Sequence, residues 1–179
     1  MTDNCSQHPQ EVPGYEGRID ELVENLASLD YRVLRMTFDK LGDNILEQAV
    51  ADEKRGRPQL SSKLEKLSEE IFTAEEFLEE ICSICQPYVN LSKYPQEIPL
   101  YEGRIGELVT SMGNLDYQVL AVILDKLGDK LLEQADANES IGRPTLAKAL
   151  EKTAVSIYQS VELLEKVCKI CAPYMGKPK

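Results

Sequence analysis

The residues best suited to chemistry are four cysteines arranged as two Cys-x-x-Cys pairs, Cys82 with Cys85 and Cys168 with Cys171. Two such pairs supply the four thiolates that structural zinc sites take in tetrahedral geometry. The pairs are separated by 82 residues, whereas compact zinc motifs separate theirs by roughly 15–20. A shared zinc site therefore requires that two distant parts of the chain pack symmetrically.

Two other roles are open to the same cysteines. Their positions fall in the last turn of predicted helices, where the helix dipole disfavours a thiolate. Redox-active pairs favour helix N-termini instead, where the thiolate is stabilised. Free cysteine commonly behaves as a small buried apolar residue. We expect the four cysteines to pack in the core, and a zinc site or a redox or iron–sulfur role is the alternative.

Carboxylates recur at four-residue steps on one face of two other predicted helices. Facing each other, the two sets would offer oxygen ligands to a divalent cation. The only histidine, His8, precedes all predicted helices, so a di-iron site built from Glu-x-x-His is not expected. Solvated faces, or ion pairs with Arg18, Arg57, Arg104 and Arg143, are the simpler interpretation. The carboxylates are Asp39, Asp43 and Glu47 in one set and Asp125, Asp129 and Glu133 in the other.

Acidic residues three positions apart form a further candidate. The pairs are Glu76 with Glu79, Glu162 with Glu165, and Glu133 with Asp136. In this respect the chain resembles the all-α nucleotide pyrophosphohydrolases, which hold magnesium with Glu-x-x-Glu and Glu-x-x-Asp pairs on bundle helices. The resemblance implies a magnesium-dependent hydrolase. The Glu-x-x-Asp pair stands in the wrong order within its part of the chain, however, and we assign no family.

The elements that position these residues come from an internal repeat. The segment from Pro9 to Val89 returns 86 residues later, with about 44 of roughly 81 aligned positions identical. A repeat of this length sets the architecture before any other argument. We predict two units, residues 1–92 and 93–179, that pack together, because each alone approaches the size at which a single core becomes marginal.

The sequence pattern predicts three helices in each unit. The first, about residues 16–27, has apolar residues at helical spacing, although Gly106 and Gly113 weaken its second copy. The second begins at Ser28 or Asn114 and runs to Gly56 or Gly142. The third begins at proline and carries a heptad seam that ends at Cys85 or Cys171. The fold class is therefore all-α, six helices in a bundle with a pseudo-twofold axis.

The charge of the chain restricts its partners. A net charge of −11 opposes binding to nucleic acid and to anionic membranes, and suits a basic protein. Residues 9–92 carry 18 acidic against nine basic side chains, and residues 95–178 carry 12 against nine. The excess is concentrated on the third helix of the first unit, which is either a solvated face or a docking surface. Its acids are Glu69, Glu70, Glu75, Glu76, Glu79 and Glu80.

These patterns predict a non-enzymatic interaction or assembly protein that presents paired helical surfaces, one strongly acidic, to a protein partner. The alternative is a metal-binding protein, with zinc at the four cysteines or a divalent metal at carboxylates. A homo-oligomer is compatible with either. No signal pattern precedes the first helix, so we expect a cytoplasmic protein. The predicted partner-binding residues are Glu75, Glu76, Glu79 and Glu80, with Arg18 and Arg104 of the repeated Tyr-Glu-Gly-Arg motif.

Overall fold

The computed structural model describes residues 12–13, 15–86 and 105–172, and this part of the chain is all-helical with no strand. The predicted boundary between residues 92 and 93 lies outside it. The helices are α1 (Ile19–Ala27), α2 (Tyr31–Lys54), α3 (Pro58–Cys85), α4 (Ile105–Gly113), α5 (Tyr117–Ser140) and α6 (Pro144–Cys171). We call α1–α3 the first half and α4–α6 the second half.

The long helices α2 and α5 begin later than predicted. Their N-caps are Asp30 and Asp116, whose carboxylates accept hydrogen bonds from the backbone N–H of Arg32 at 2.9 Å and of Gln118 at 2.8 Å. Ser28 and Asn114, the predicted caps, instead follow the ends of α1 and α4. All four are residue types that cap helices, so the sequence alone did not decide between them.

The long helices end where glycine was predicted. Gly56 and Gly142 have φ of 74° and 78°, a conformation that glycine adopts without the steric cost other residues meet. After α2, the N–H of Gly56 donates to the carbonyl of Glu53 at 2.9 Å, and the N–H of Arg57 donates to that of Asp52 at 2.9 Å. This pair of bonds is the Schellman motif, and it turns the chain into α3.

The third helix of each half carries the predicted heptad seam. Pro58 and Pro144 are the first residues of α3 and α6, where a missing N–H leaves no helical bond unmade. The seam is buried along both helices except at its last position. The buried residues are Leu60, Leu64, Leu67, Ile71, Ala74, Leu78 and Ile81 in α3, and Leu146, Leu150, Thr153, Ile157, Ser160, Leu164 and Val167 in α6.

The four long helices pack in the order α2, α3, α6, α5. The central helices α3 and α6 run antiparallel, because Ser156 of α6 contacts Glu70 while Lys152, earlier in α6, contacts Glu80, later in α3. Each end of α3 therefore lies beside the opposite end of α6. The antiparallel arrangement determines which cysteines and charged residues lie close together.

The short helices are exchanged between the halves. Helix α1 packs on α5 of the second half, and α4 packs on α2 of the first. Gln134 on α5 donates to the carbonyl of Ala27 at 2.8 Å, and Gln48 on α2 donates to that of Gly113 at 2.6 Å. The Tyr31 hydroxyl bonds Gln134 at 2.9 Å, and the Tyr117 hydroxyl bonds Gln48 at 2.8 Å. The two halves therefore share one core.

Candidate functional site

The structure separates the two cysteine pairs. Cys85 lies at the end of α3 within electrostatic reach of Arg143 at the start of α6, and Cys171 lies at the end of α6 within reach of Arg57 at the start of α3. Because α3 has 28 residues, a helix of its length spans about 40 Å. The two pairs lie at opposite ends of this antiparallel helix pair, so the chain does not bring all four thiols together.

Each of these four cysteines is partly exposed rather than fully buried. Cys85, Cys168 and Cys171 pack against the core, which matches the predicted packing role, although the seam suggested complete burial. Burial raises the pKa of Cys82 to about 11, and the nearby Asp30 adds to this. Burial also raises the pKa of Cys168 to about 11, with Asp116 in the equivalent place. These thiols are therefore protonated at neutral pH, which disfavours thiolate chemistry.

Within the described residues, no group of three or more His, Cys, Asp or Glu side chains is placed to hold a metal ion. The four-cysteine site and the two facing carboxylate sets are not assembled there. The acidic residues of the predicted magnesium pairs lie on α3, α5 and α6. Whether such residues converge on one site cannot be predicted from the sequence, because spacing along a helix does not show which helix lies opposite.

Part of the predicted acidic surface on α3 is engaged inside the chain. Arg35 of α2 bonds Glu75 at 2.9 Å and Glu79 at 3.3 Å. The Glu75 side chain is only 16% exposed, and burial raises its pKa; Arg35 opposes this, while Asp39, Glu79 and Glu76 reinforce it. Arg35 therefore ties two of the four predicted docking residues to α2.

A third predicted docking residue faces α6. Glu80 accepts a hydrogen bond from Lys152 at 3.1 Å, and the same ammonium lies 5.3 Å from the centre of the Phe77 ring. Of the four glutamates, Glu76 alone is exposed with neither an ion pair nor a side-chain hydrogen bond in the described part of the chain. The excess of acid on α3 thus partly serves helix packing.

Arg18 forms a local ion pair, and its predicted role in partner binding stays a prediction. Its guanidinium is 79% exposed and bonds Asp20 of its own helix at 3.2 Å, so it does not tie α1 to a carboxylate on the next helix. Its backbone N–H donates to Glu21 at 3.1 Å, which helps to cap α1. Arg104 lies outside the described residues.

The surface that the sequence analysis undervalued is the outer face of α2, between the faces that contact α3 and α4. Met36, Leu46 and Val50 are 55%, 39% and 42% exposed on this face. Three exposed carboxylates lie among them, and none makes an ion pair or a side-chain hydrogen bond within the described residues. We call this set the α2 outer face: Met36, Asp39, Asp43, Leu46, Glu47 and Val50.

The equivalent face of α5 is chemically different. The Tyr158 hydroxyl donates to Asp129 at 2.7 Å, and Lys130 donates to Glu133 at 3.0 Å. Leu132 is partly buried and packs against the core, and Asp136 stands where α2 has Val50. Only Val122, at 44% exposed, remains as a large exposed apolar side chain on this face. The sequence does indicate the α2 outer face, because Met36, Leu46 and Val50 are apolar residues on the side of the helix opposite its core-facing residues.

Comparison with protein families, curated proteins and solved structures found no match for this chain. Every helix in the described part is too short or too polar to cross a membrane.

Proposed function

We propose that this chain is a non-enzymatic interaction protein whose first half docks a basic protein partner through an acidic helical surface. The observation that carries this proposal is the set of unpaired carboxylates Asp39, Asp43 and Glu47 on the α2 outer face. At the equivalent positions of the second half, Asp129 and Glu133 are bonded within the chain. The difference supports a role for the first half.

The docking surface extends towards α3. Asp39 and Glu76 both contribute to the raised pKa of Glu75, so the charges of the two helices lie within electrostatic reach of each other. Clusters of one charge sign raise the association rate of partners of the opposite sign. The surface we propose comprises the three α2 carboxylates with Glu76, which is one of the four α3 glutamates predicted from the sequence.

The two halves, in this proposal, are tandem copies packed about a pseudo-twofold axis. The reciprocal bonds support it: Gln134 with Ala27 and Gln48 with Gly113 are equivalent pairs 86 residues apart, with the halves exchanged. Such reciprocity is the pattern of an isologous interface. A cytoplasmic location is part of the same proposal, and the four free cysteines of the described residues support a reducing compartment.

A carboxylate-to-lysine crosslinker, used in extract of the native host, tests the docking proposal. Such a reagent joins acidic residues of this chain directly to lysines of whatever protein lies against them, and mass spectrometry identifies both ends. We expect crosslinks from Asp39, Asp43, Glu47 or Glu76 to a basic protein. The variant Asp39→Lys/Asp43→Lys should lose them, while Asp125→Lys/Asp136→Lys, with the same change of charge, should keep them. Crosslinks confined to the second half would contradict the proposal.

A further inference from the structure

The α2 outer face has the residue spacing of a helix-packing seam. Its residues Met36, Asp39, Asp43, Leu46 and Val50 follow one another at steps of three, four, three and four, which is the spacing of a coiled-coil seam. All five are exposed. From Met36 to Val50 the seam spans about 21 Å of helix, or about four turns. A row of this spacing packs best against another helix at a small crossing angle.

The seam combines apolar contact with charge. Three of its five positions are large apolar side chains, which is unusual for the solvent side of a helix with 24 residues. Single exposed apolar residues are ordinary, but here Leu46 and Val50 lie one helical turn apart, and Met36 lies on the same stripe beyond Asp39 and Asp43. The two aspartates at the seam and Glu47 beside it call for Lys or Arg on the incoming helix.

A second copy of this chain would oppose like charges in the two symmetric pairings of the seam with itself. Antiparallel pairing of two α2 helices about Asp43 would place this residue against its own equivalent and Asp39 near Glu47. Parallel pairing would place each aspartate against itself. Like charges directly opposed are destabilising, and the net charge of −11 on each chain adds to the repulsion. Charge complementarity therefore selects a basic occupant.

We infer that the α2 outer face binds a basic amphipathic helix of a partner protein, with Met36, Leu46 and Val50 in its apolar stripe and Asp39 and Asp43 against its lysines or arginines. This inference rests on the proposed function and specifies its partner as a helix. Helices commonly bind in this way, through apolar anchors at heptad-like spacing. With only one helix face to cover, the interface falls in the small size class typical of transient encounters, so we expect micromolar affinity.

The test uses the full chain and three labelled peptides of 21 residues, followed by fluorescence anisotropy. The first peptide has leucine at seam positions and lysine on both flanks. The second has the same composition rearranged to remove the apolar face, and the third has glutamate in place of lysine. We expect the first to bind at least about tenfold more tightly than the other two.

Variants of the chain then locate the site. Met36→Gln/Leu46→Gln/Val50→Gln should weaken the first peptide about tenfold or more, without changing the weak binding of the rearranged peptide. Asp39→Lys/Asp43→Lys should weaken it at least as much. The matched controls Val122→Gln and Asp125→Lys/Asp136→Lys should bind as wild type does. Circular dichroism verifies that each variant keeps its helix content, as exposed substitutions should.

The outcomes separate the two proposals. Equal binding of the first and the rearranged peptide would overturn the helix inference and leave a purely electrostatic docking surface. Equal weakening by the second-half controls, or no binding of the first peptide, would overturn the assignment of the helix site to α2. If crosslinking to the α2 carboxylates also failed, the proposed function itself would be wrong.

Discussion

The two halves of the molecule have different side chains at equivalent positions of corresponding helices. Between α2 and α3, Arg35 bonds Glu75 and Glu79, whereas the equivalent contact between α5 and α6 has Ala121 and Val161 packed against the core. The second half thus uses apolar contacts where the first uses charge. The same pair of helices is thus joined by ion pairs in the first half and by apolar side chains in the second.

The exchanged short helices show the reverse distribution of charge. Lys126 and Lys130 of α5 bond Asp20 and Glu24 of α1, each at 2.8 Å. At the equivalent contact, α4 has Gly106 in place of Asp20 and α2 has Lys40 in place of Lys126. A Cβ added to Gly106 would lie 2.6 Å from the Nζ of Lys40, so a close approach of the two helices takes the place of the ion pair. Position by position, the chain offers natural controls for separating charge from packing.

The largest effect should follow from removing one half. In the fragment of residues 1–92, α1 loses α5 and α3 loses α6, so the contacts that close the core are missing. One small core rarely supplies more than about 3–5 kcal/mol. We expect no folded monomer: the fragment should be largely unfolded when dilute and, where it folds, should sediment as a dimer that exchanges α1. A cooperatively folded monomer with full helicity would show that the halves are independent. Residues 93–179 provide the matched fragment.

Substituting Arg35 should produce the next largest effect. Arg35→Ala leaves Glu75 half-buried without its cation, and we expect a loss of about 1 kcal/mol, reduced by the partial exposure of the pair. The double variant Arg35→Ala/Glu75→Val copies the apolar pair of the second half. It should recover wild-type stability to within about 0.5 kcal/mol, since apolar replacements of a buried ion pair are often neutral or better. Urea unfolding measures both, and a double variant weaker than the single one would contradict this comparison.

The pH dependence sharpens the same comparison. Because burial raises the pKa of Glu75 in the folded state, the protonated acid is favoured by folding. Its contribution to stability is therefore complete below the ordinary glutamate pKa near 4.5 and is lost as the pH rises through the raised value. The free energy of unfolding of wild type, relative to that of the double variant, should therefore fall between pH 4 and pH 7. A relative stability that rose over this range would mean that the ion pair with Arg35 outweighs the burial of Glu75.

Much of the fold could be predicted because its signals are local. The glycine at Gly56 and the proline at Pro58 mark the end of one helix and the start of the next, and both were correct. The exchange of α1 and α4 could not be predicted, because an apolar stripe shows that one face of a helix is buried but does not identify the helix that packs against it. The reason for glycine at Gly42 in the middle of α2 is equally non-local, since a Cβ there would lie 2.6 Å from the ring of Phe72 on α3.

The candidate site was less accessible from sequence for the same reason. The excess of acid on the first half was evident from composition, but Arg35 and Glu75 are 40 positions apart. Only the packing of α2 on α3 shows that Arg35 binds two of the glutamates. The carboxylates Asp39, Asp43 and Glu47 of α2 have no such partner among the described residues.

A smaller effect should follow from removing the ion pairs of α1. Lys126→Gln/Lys130→Gln keeps the helix propensity of α5 and removes the charges that bond Asp20 and Glu24. Since Asp20, Glu24 and Lys126 are exposed and Lys130 is only partly buried, we expect only a slight fall in the melting temperature at low salt. The difference should vanish near 1 M salt, where the Debye length is about 3 Å. Lys40→Gln, at the position equivalent to Lys126, should change less. A fall that persisted at high salt would indicate packing rather than charge.

The smallest difference between the halves is expected at the cysteines. Burial raises the pKa of both Cys82 and Cys168 to about 11, so at pH 8 only about one thiol in a thousand is ionised, given that each pKa unit is a factor of ten. Alkylation by iodoacetamide should therefore be slow and equal at the two sites, and should accelerate up to about pH 11. Mass spectrometry of the modified peptides measures both rates in one sample. Because Asp30 adds to the raised pKa of Cys82 and Asp116 to that of Cys168, Asp30→Asn should speed alkylation of Cys82 but not of Cys168, and Asp116→Asn should do the reverse. Asparagine can still cap each helix. Rapid alkylation of one cysteine near neutral pH would show that the two ends of the α3–α6 pair are not equivalent and that one of them holds a reactive thiolate.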